Sequence, residues 1–155
     1  LSPQNAFYNS IGMETLGLRM ERVCDNAKTL AQFFATEYSD IEVNYPGLAG
    51  SKWHNIATEQ FGDKFGGIIT IRTGNKKRAF GIIDALKLPL IVSNIGDTKT
   101  LVIHPESTLN VHSTQEEKET AGVFDDLIRI SVGIEDIEDL IDDFKQAIES
   151  VKDVY

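Results

Sequence analysis

Arg129 is the side chain whose type and setting best suit chemistry on a small molecule. It lies in Leu127–Val132, where Ile128, Ile130 and Val132 occupy every second position. That alternation predicts a strand with the three apolar side chains on one face and Arg129 on the other. A guanidinium carried by a rigid strand matches a carboxylate in a bidentate pair. On spacing alone, a solvent-facing arginine paired with one of the chain's many acids is the favoured alternative.

Ser93 is the second candidate for a binding residue. It follows the apolar run Leu88–Val92 and precedes Asn94-Ile95-Gly96-Asp97, a string of turn-forming residues. Such a turn could present backbone N–H groups to an anion. The residues themselves equally allow an ordinary hydroxyl in a turn.

Other catalytic and metal-binding signatures are sparse. The sequence has no Gly-rich phosphate loop and no Cys-x-x-Cys pair. The last two of its histidines, His104 and His112, are too far apart to share a helical turn, so we predict no metal site. Cys24 lies beside an apolar helical stripe, which favours a buried, unreactive thiol. Taken alone, the chain does not look like a complete active site.

The composition excludes several classes of partner. The 155 residues carry a formal net charge of −9, which disfavours nucleic acid, and much of the acid lies in Glu135–Asp143, interpreted as a solvated helix face. No apolar run approaches the about 20 residues that span a bilayer, so we expect no membrane partner. The single cysteine cannot form an internal disulfide, and the expected location is the cytoplasm.

The first helix is the longest element that the pattern predicts. Ser2-Pro3 supplies a side-chain cap and a proline at the first helical position. Gly12 and Gly17 predict a bend or a close backbone contact. An apolar stripe at three- and four-residue spacing predicts a helix face used for core burial, with a partner surface as the alternative: Met13, Leu16, Met20, Val23, Ala27, Leu30 and Phe34.

The remaining pattern predicts an α+β fold, with a mostly antiparallel sheet and helices on one face. Strands are expected at 41–45, 68–72, 88–92 (buried), 100–103 and 127–132. Short helices are expected at 53–61 and 116–121. A longer helix is expected after an Asn75 cap, with an inward face of Ala79, Phe80, Ile83 and Leu86. A last helix closes the chain, with an inward face of Ile137, Leu140, Ile141, Phe144, Ile148 and Val151.

Three segments together resemble the Cys/Met-metabolism family of pyridoxal-phosphate enzymes. The first is Leu1–Phe7, continued by Met13–Leu16 and Leu18–Met20. The second is Val92–Pro105, which reads VSNIGDTKTLVIHP, and the third is Asp126–Asp136, which reads DLIRISVGIED. The matches occur in the family's order and cover nearly the whole chain.

The resemblance implies a reaction. The string Gly96–Leu101 is more similar to the O-acetylhomoserine sulfhydrylases, because cystathionine enzymes tend to carry a second glycine where Asp97 stands. Sulfhydrylases make homocysteine from O-acetylhomoserine and sulfide by γ-replacement on pyridoxal phosphate. The alternatives are a cystathionine γ-synthase, cystathionine γ-lyase or methionine γ-lyase domain and, in a different class, a stand-alone binding or assembly module without chemistry.

The resemblance also implies roles for both candidate residues. Arg129 stands where the family's arginine binds the substrate α-carboxylate, and Ser93 where a serine helps to hold it. The family's Schiff-base lysine and cofactor-binding residues lie upstream of Leu1, so we expect no catalytic, cofactor-binding or metal residue in this chain. The start at Leu1 suggests excision from something longer.

Residues 1–155 are therefore interpreted as the C-terminal domain of an enzyme, without its cofactor-binding domain and inactive alone. Pyridoxal phosphate is expected in the full-length enzyme and not on this fragment. The implied partners are an amino-acid substrate, the N-terminal cofactor domain and sister subunits of a homotetramer. Phe7, Tyr8 and Ile11 are expected to form an exposed interdomain surface. The loop over 104–122 looks longer than the family's, and neither Thr108 nor His112 is assigned a role.

Overall fold

The computed structural model, which describes residues 1–152, contains six α-helices and five strands. A single 3-10 turn, Pro105–Ser107, follows the fourth strand. In chain order the elements are α1 (Pro3–Glu14), α2 (Leu16–Glu37), β1 (Glu42–Asn44), α3 (His54–Phe61), β2 (Ile68–Arg72), α4 (Lys76–Ala85), β3 (Leu90–Ile91), β4 (Leu101–Ile103), α5 (Gln115–Thr120), β5 (Leu127–Ser131) and α6 (Ile137–Ser150).

The five strands form one sheet in the order β1-β2-β5-β4-β3. Three of its four strand pairs are antiparallel, and β3 pairs with β4 in parallel. Helices α2, α4 and α6 pack together over one face of this sheet. The α+β class and the mostly antiparallel sheet with helices on one face are therefore confirmed, as are strands β2 and β5 and the helix capped by Asn75.

The core lies between this face and the three helices. Alternate residues of β2 and β5 pair across the strands, Ile69 with Ile130 and Ile71 with Ile128, so their side chains share one face. The rings of Phe34 on α2 and Phe144 on α6 meet edge to face, with centroids 5.2 Å apart. The inward face predicted for α6 is fully buried at its three central positions, Leu140, Phe144 and Ile148.

The first helical segment is broken at Thr15, which confirms the predicted bend. The hydroxyl of Ser2 caps α1 by accepting a hydrogen bond from the Asn5 amide, at 3.2 Å. Burial of the apolar stripe begins only at Val23, and Met13 is 69% exposed. The prediction of core burial is wrong for the first part of the stripe, because none of the described elements packs over the apolar side chains there.

Two further predictions about the core were wrong. The run Leu88–Val92 was expected to be a buried strand, but it forms the short edge strand β3, in which Ile91 is 61% exposed. An edge strand has a neighbour on one side only, and its apolar content does not reveal this position. On α4, Ile82 lies in the core, whereas Phe80 is partly exposed and stacks beside the buried ring of His104.

The acids at the start of α6 do not all face solvent, which corrects the interpretation of Glu135–Asp143 as a solvated face. Asp136 caps α6 by accepting from the Glu138 amide. Asp143 is buried and accepts hydrogen bonds from the backbone amides of Lys87 and Leu88, each at 2.9 Å. Its carboxylate fixes the segment between α4 and β3 against α6.

Replacing Asp143 with alanine is expected to lower the free energy of unfolding by about 2–4 kcal/mol, because two partly buried amides lose a charged acceptor. The matched control is Asp142→Ala, since Asp142 is the exposed neighbour on the same helix. Urea unfolding followed by circular dichroism measures both variants. Equal effects at the two positions would contradict the structural role of Asp143.

A second carboxylate, that of Glu106, anchors the segment that contains α5. It accepts hydrogen bonds from the ammonium groups of Lys118 on α5, at 2.6 Å, and Lys76 at the start of α4, at 2.7 Å. The hydrogen bond from Lys118, which has the larger effect, and the one from Lys76 lower the pKa of Glu106 to about 2. The predicted polar helix in the 104–122 loop is confirmed, and Glu106 is the group that ties it to α4.

The ion pairs of Glu106 with Lys118 and Lys76 make part of the protein's stability depend on pH. The folded-state pKa of Glu106 lies below the ordinary value of 4.5, so the stabilisation is complete above that pH and is lost as pH falls towards 2. Glu106→Gln should therefore reduce the free energy of unfolding more at about pH 5 than at about pH 3. Glu116→Gln, at an exposed position of α5, serves as the control. A pH-independent effect of Glu106→Gln would contradict the ion pairs.

Candidate functional site

Arg129 occupies the middle of β5, on the sheet face opposite the packed helices. Its register partners are Thr70 on β2 and Ile103 on β4, so both flanking strands hold its backbone. The strand face predicted for Arg129 from the alternation is therefore confirmed. Because Arg129 is bonded on both sides within the sheet, its side chain projects from one of the most constrained parts of the fold.

The guanidinium of Arg129 is half-buried and only partly used. Its Nη2 donates to the backbone carbonyl of Asn94 at 3.2 Å, and its Nε is buried without a hydrogen-bond partner. Among residues 1–152, no carboxylate forms an ion pair with it, which disfavours the alternative of a surface arginine paired with an acid. Burial lowers the pKa of Arg129, but a guanidinium stays charged at neutral pH. The site therefore offers a partly desolvated cation with donors to spare.

The loop formed by residues 92–100 crosses over the end of β5 and is bound to it at several points. Arg129 reaches the carbonyl of Asn94, and the buried hydroxyl of Ser131 accepts from the amide of Gly96 at 3.2 Å. Gly96 has a φ of 78°, a conformation that glycine adopts without strain. Two side chains of a single strand face thus hold the 92–100 loop at Asn94 and Gly96.

The far end of the same loop is fixed by Glu135, whose role the sequence analysis did not identify. Its carboxylate accepts hydrogen bonds from both the amide and the hydroxyl of Thr100. The same Thr100 hydroxyl accepts from the amide of Gly133 at 2.9 Å. Asn26 donates to the carbonyls of Gly133 and Glu135, and so ties the segment to α2. A polar Asn26 next to the apolar stripe was the one sequence signal for this network.

Ser93 lies at the exposed edge of the 92–100 loop. It is next to Asn94, whose carbonyl contacts Arg129, so the structure brings both predicted residues to the same junction of loop and strand. The two side chains do not hydrogen-bond to each other within the described residues. Three amides of the turn, those of Asn94, Gly96 and Lys99, bond within the chain and are not available to an anion.

The other candidate groups are satisfied structurally. His104 is buried, and its two ring nitrogens contact Ser107 and the carbonyl of Asp125. Cys24 is buried, as its position beside the stripe predicts. Over residues 1–152, no group of three His, Cys, Asp or Glu side chains is arranged to hold a metal ion, and no helix is long and apolar enough to cross a bilayer.

The comparison with known proteins identifies the family. The family model for Cys/Met metabolism PLP-dependent enzymes matches residues 1–149, and the chain belongs to this family. An L-methionine gamma-lyase of Fusobacterium nucleatum subsp. polymorphum is 40% identical over 152 residues, which are 97% of this chain and 38% of that protein. A homocysteine synthase of Schizosaccharomyces pombe is 40% identical over 149 residues, which are 96% of this chain and 35% of that protein.

A solved structure shows the same fold. The crystal structure of a putative O-acetylhomoserine (thiol)-lyase from Campylobacter jejuni, with an N'-pyridoxyl-lysine-5'-monophosphate, matches with a TM-score of 0.90 and 40% identity. The match covers 96% of this chain and 36% of that one. The chain thus spans less than two fifths of the length of each of these three relatives.

The described residues around Arg129 suit an anionic group. Within residues 1–152, the lysine ammonium groups that hydrogen-bond, those of Lys64, Lys76 and Lys118, donate to carboxylates outside the 92–100 loop. The arrangement has a guanidinium on β5 and a hydroxyl on the adjacent loop, which also carries Lys99. What it can do chemically is bind and orient an anionic group.

Gly133→Ala tests the packing of the loop against the end of β5. A Cβ at Gly133 would collide with the Glu135 carboxylate and the Thr98 carbonyl. We expect a loss of about 1–3 kcal/mol in the free energy of unfolding, as in an overpacked core. The control is Gly17→Ala, where the added Cβ meets nothing within 4 Å. Urea unfolding compares the two, and an unchanged stability of Gly133→Ala would contradict the tight contact.

Proposed function

We propose that this chain is the C-terminal domain of a longer pyridoxal-phosphate-dependent enzyme and supplies the arginine that binds the α-carboxylate of its amino-acid substrate. The observation that carries the proposal is the state of Arg129. Its guanidinium is held on a central strand and partly desolvated, and within residues 1–152 its Nε has no hydrogen-bond partner and no acid pairs with it. A buried donor without a partner is costly, so an incoming carboxylate would be bound strongly there.

Each residue of the junction has a separate task in this proposal. Arg129 fixes the substrate through its carboxylate, which orients the reacting carbons of the amino acid relative to the rest of the active site. Ser93 adds a hydroxyl donor on the loop next to Arg129. Pyridoxal phosphate, held by residues outside this chain, supplies the electron sink that stabilises carbanions. The isolated chain is accordingly expected to be inactive.

The reaction that we propose for the parent enzyme is γ-replacement, in which sulfide displaces acetate from O-acetylhomoserine and homocysteine forms. It is supported by the loop Gly96–Leu101 with its Asp97, and by relatives named homocysteine synthase and O-acetylhomoserine (thiol)-lyase. A second candidate is γ-elimination to a keto acid and ammonia. It is supported by the L-methionine gamma-lyase of Fusobacterium nucleatum, which is as similar in sequence.

The exposed apolar side chains of α1 support a multi-part enzyme. Phe7 is 62% exposed, and Tyr8 and Ile11 lie in the open beside it, as predicted for an interdomain surface. We propose that they pack on the cofactor domain or a sister subunit of a homotetramer, in the cytoplasm. A stand-alone binding module is the rival from another class, and membership in an enzyme family disfavours it.

A turnover assay on the full-length protein loaded with pyridoxal phosphate tests these proposals. With O-acetylhomoserine, homocysteine should form only when sulfide is present. Arg129→Ala should lower kcat/KM by about 10- to 100-fold, since a charge-assisted hydrogen bond is lost. Arg129→Lys should recover only part of this loss, because lysine keeps the charge and loses the fork. The control is Arg22→Ala, at an exposed position of α2.

The other outcomes separate the alternatives. A keto acid released without sulfide would replace γ-replacement with γ-elimination and leave the role of Arg129 intact. A full activity of Arg129→Ala would refute its role in carboxylate binding. Failure to bind the cofactor or to turn over any substrate would favour the binding module.

A further inference from the structure

Ser131 is a buried polar residue that the proposed carboxylate site does not yet use. It lies two positions beyond Arg129 on the same strand face, between its register partners Ile68 and Leu101. Its side chain is almost fully enclosed, with 3% of the residue exposed. The hydroxyl oxygen accepts a hydrogen bond from the amide of Gly96 at 3.2 Å. A serine at this depth therefore connects β5 to the overlying 92–100 loop.

The loop needs an anchor that does not depend on Arg129. The guanidinium holds the Asn94 carbonyl at 3.2 Å, which is a contact with a neutral acceptor. A carboxylate is a stronger acceptor than this carbonyl, so a substrate bound to the free donors of Arg129 would compete with the carbonyl for the position of the guanidinium. If Arg129 were the loop's only attachment near Ser93, substrate binding would release Ser93 and Asn94 from their positions beside β5. The bond between Ser131 and Gly96 is unaffected by that competition.

The remaining attachments of the loop lie at its other end. Thr98 accepts from the amide of Ile134 at 2.9 Å, and Thr100 bonds to Glu135. Between Asn94 and Thr98, the structure describes one attachment of the loop to β5, the hydrogen bond from the Gly96 amide to the Ser131 hydroxyl. Removing it would loosen the part of the loop around Ser93 while the end near β4 stays fixed.

We propose that Ser131 is a positioning residue for carboxylate binding. Its hydroxyl holds the loop over β5 through Gly96, so that Ser93 and the Asn94 carbonyl stay aligned while the Arg129 guanidinium binds the substrate. This inference rests on the function proposed for Arg129. It assigns no contact between Ser131 and the substrate.

The test compares two inhibitors of the full-length enzyme loaded with pyridoxal phosphate. Norvaline carries an α-carboxylate, and n-butylamine has the same carbon chain without it. In Ser131→Ala, the inhibition constant of norvaline should rise by about 3- to 10-fold, the equivalent of one hydrogen bond. That of n-butylamine should change by less than about twofold, within the range of a neutral substitution. The KM for the substrate should rise more than kcat falls.

Two further variants make the result decisive. Ser131→Cys fills the space of the hydroxyl with a somewhat larger thiol and weakens the hydrogen bond, so it should show the same selective loss of norvaline binding even if the alanine variant folds poorly. Ser113→Ala, in the distant loop before α5, should leave both constants unchanged.

The Arg129→Ala variant separates the inference about Ser131 from the function proposed for Arg129. If it weakens norvaline and Ser131→Ala does not, the inference about Ser131 fails and the proposed function stands. If Arg129→Ala also leaves norvaline unchanged, the proposed function fails as well. Equal weakening of both inhibitors by Ser131→Ala would show a general structural role and overturn the inference.

Discussion

The bonding of Thr100 is the constraint on which the site depends. This residue is fully buried where the 92–100 loop enters β4. Its carbonyl accepts from Leu90 of the edge strand, its amide and hydroxyl donate to Glu135, and its hydroxyl accepts from Gly133 just past β5. Every polar atom of the residue is satisfied, as burial demands. One residue, through its backbone and its hydroxyl, thus fixes where the loop ends, how the edge strand is aligned and where β5 stops.

Thr100 is the fixed end from which the loop lies back across the end of β5. Its backbone leaves Thr100, passes over the strand and meets the side chains that point away from the helices. The chain places a hydroxyl and a guanidinium there, each bonded to a different loop residue. The helices cover the opposite face with an apolar core, so the two faces of β5 have different roles. One face provides stability, and the other offers polar groups whose positions are set by the sheet itself.

Local patterns predicted much of this arrangement from the sequence. Strict alternation located β5 and the face of Arg129, and the cap at Asn75 located α4, because these signals act within a few residues. The failures all concern partners distant in sequence. The apolar sequence of β3 does not indicate that, among the described residues, its side chains stay exposed. Likewise, the sequence around Asp143 does not indicate that it binds amides 55 and 56 residues away. For the site, the alternation and the family resemblance suggested Arg129, whereas its contact with the Asn94 carbonyl required the structure.

The strand order carries a consequence for how the protein is made. Strand β5 lies at the centre of the sheet, yet it is the last of the five in the described chain. Its register joins Ile69 to Ile130, so its pairing with β2 closes a long stretch of sequence. On a ribosome, β2 and β4 must wait for the strand that joins them until most of the chain has emerged. Sheet formation is therefore a late, cooperative event dominated by non-local contacts, which slow folding and prolong the exposure of unpaired strand edges.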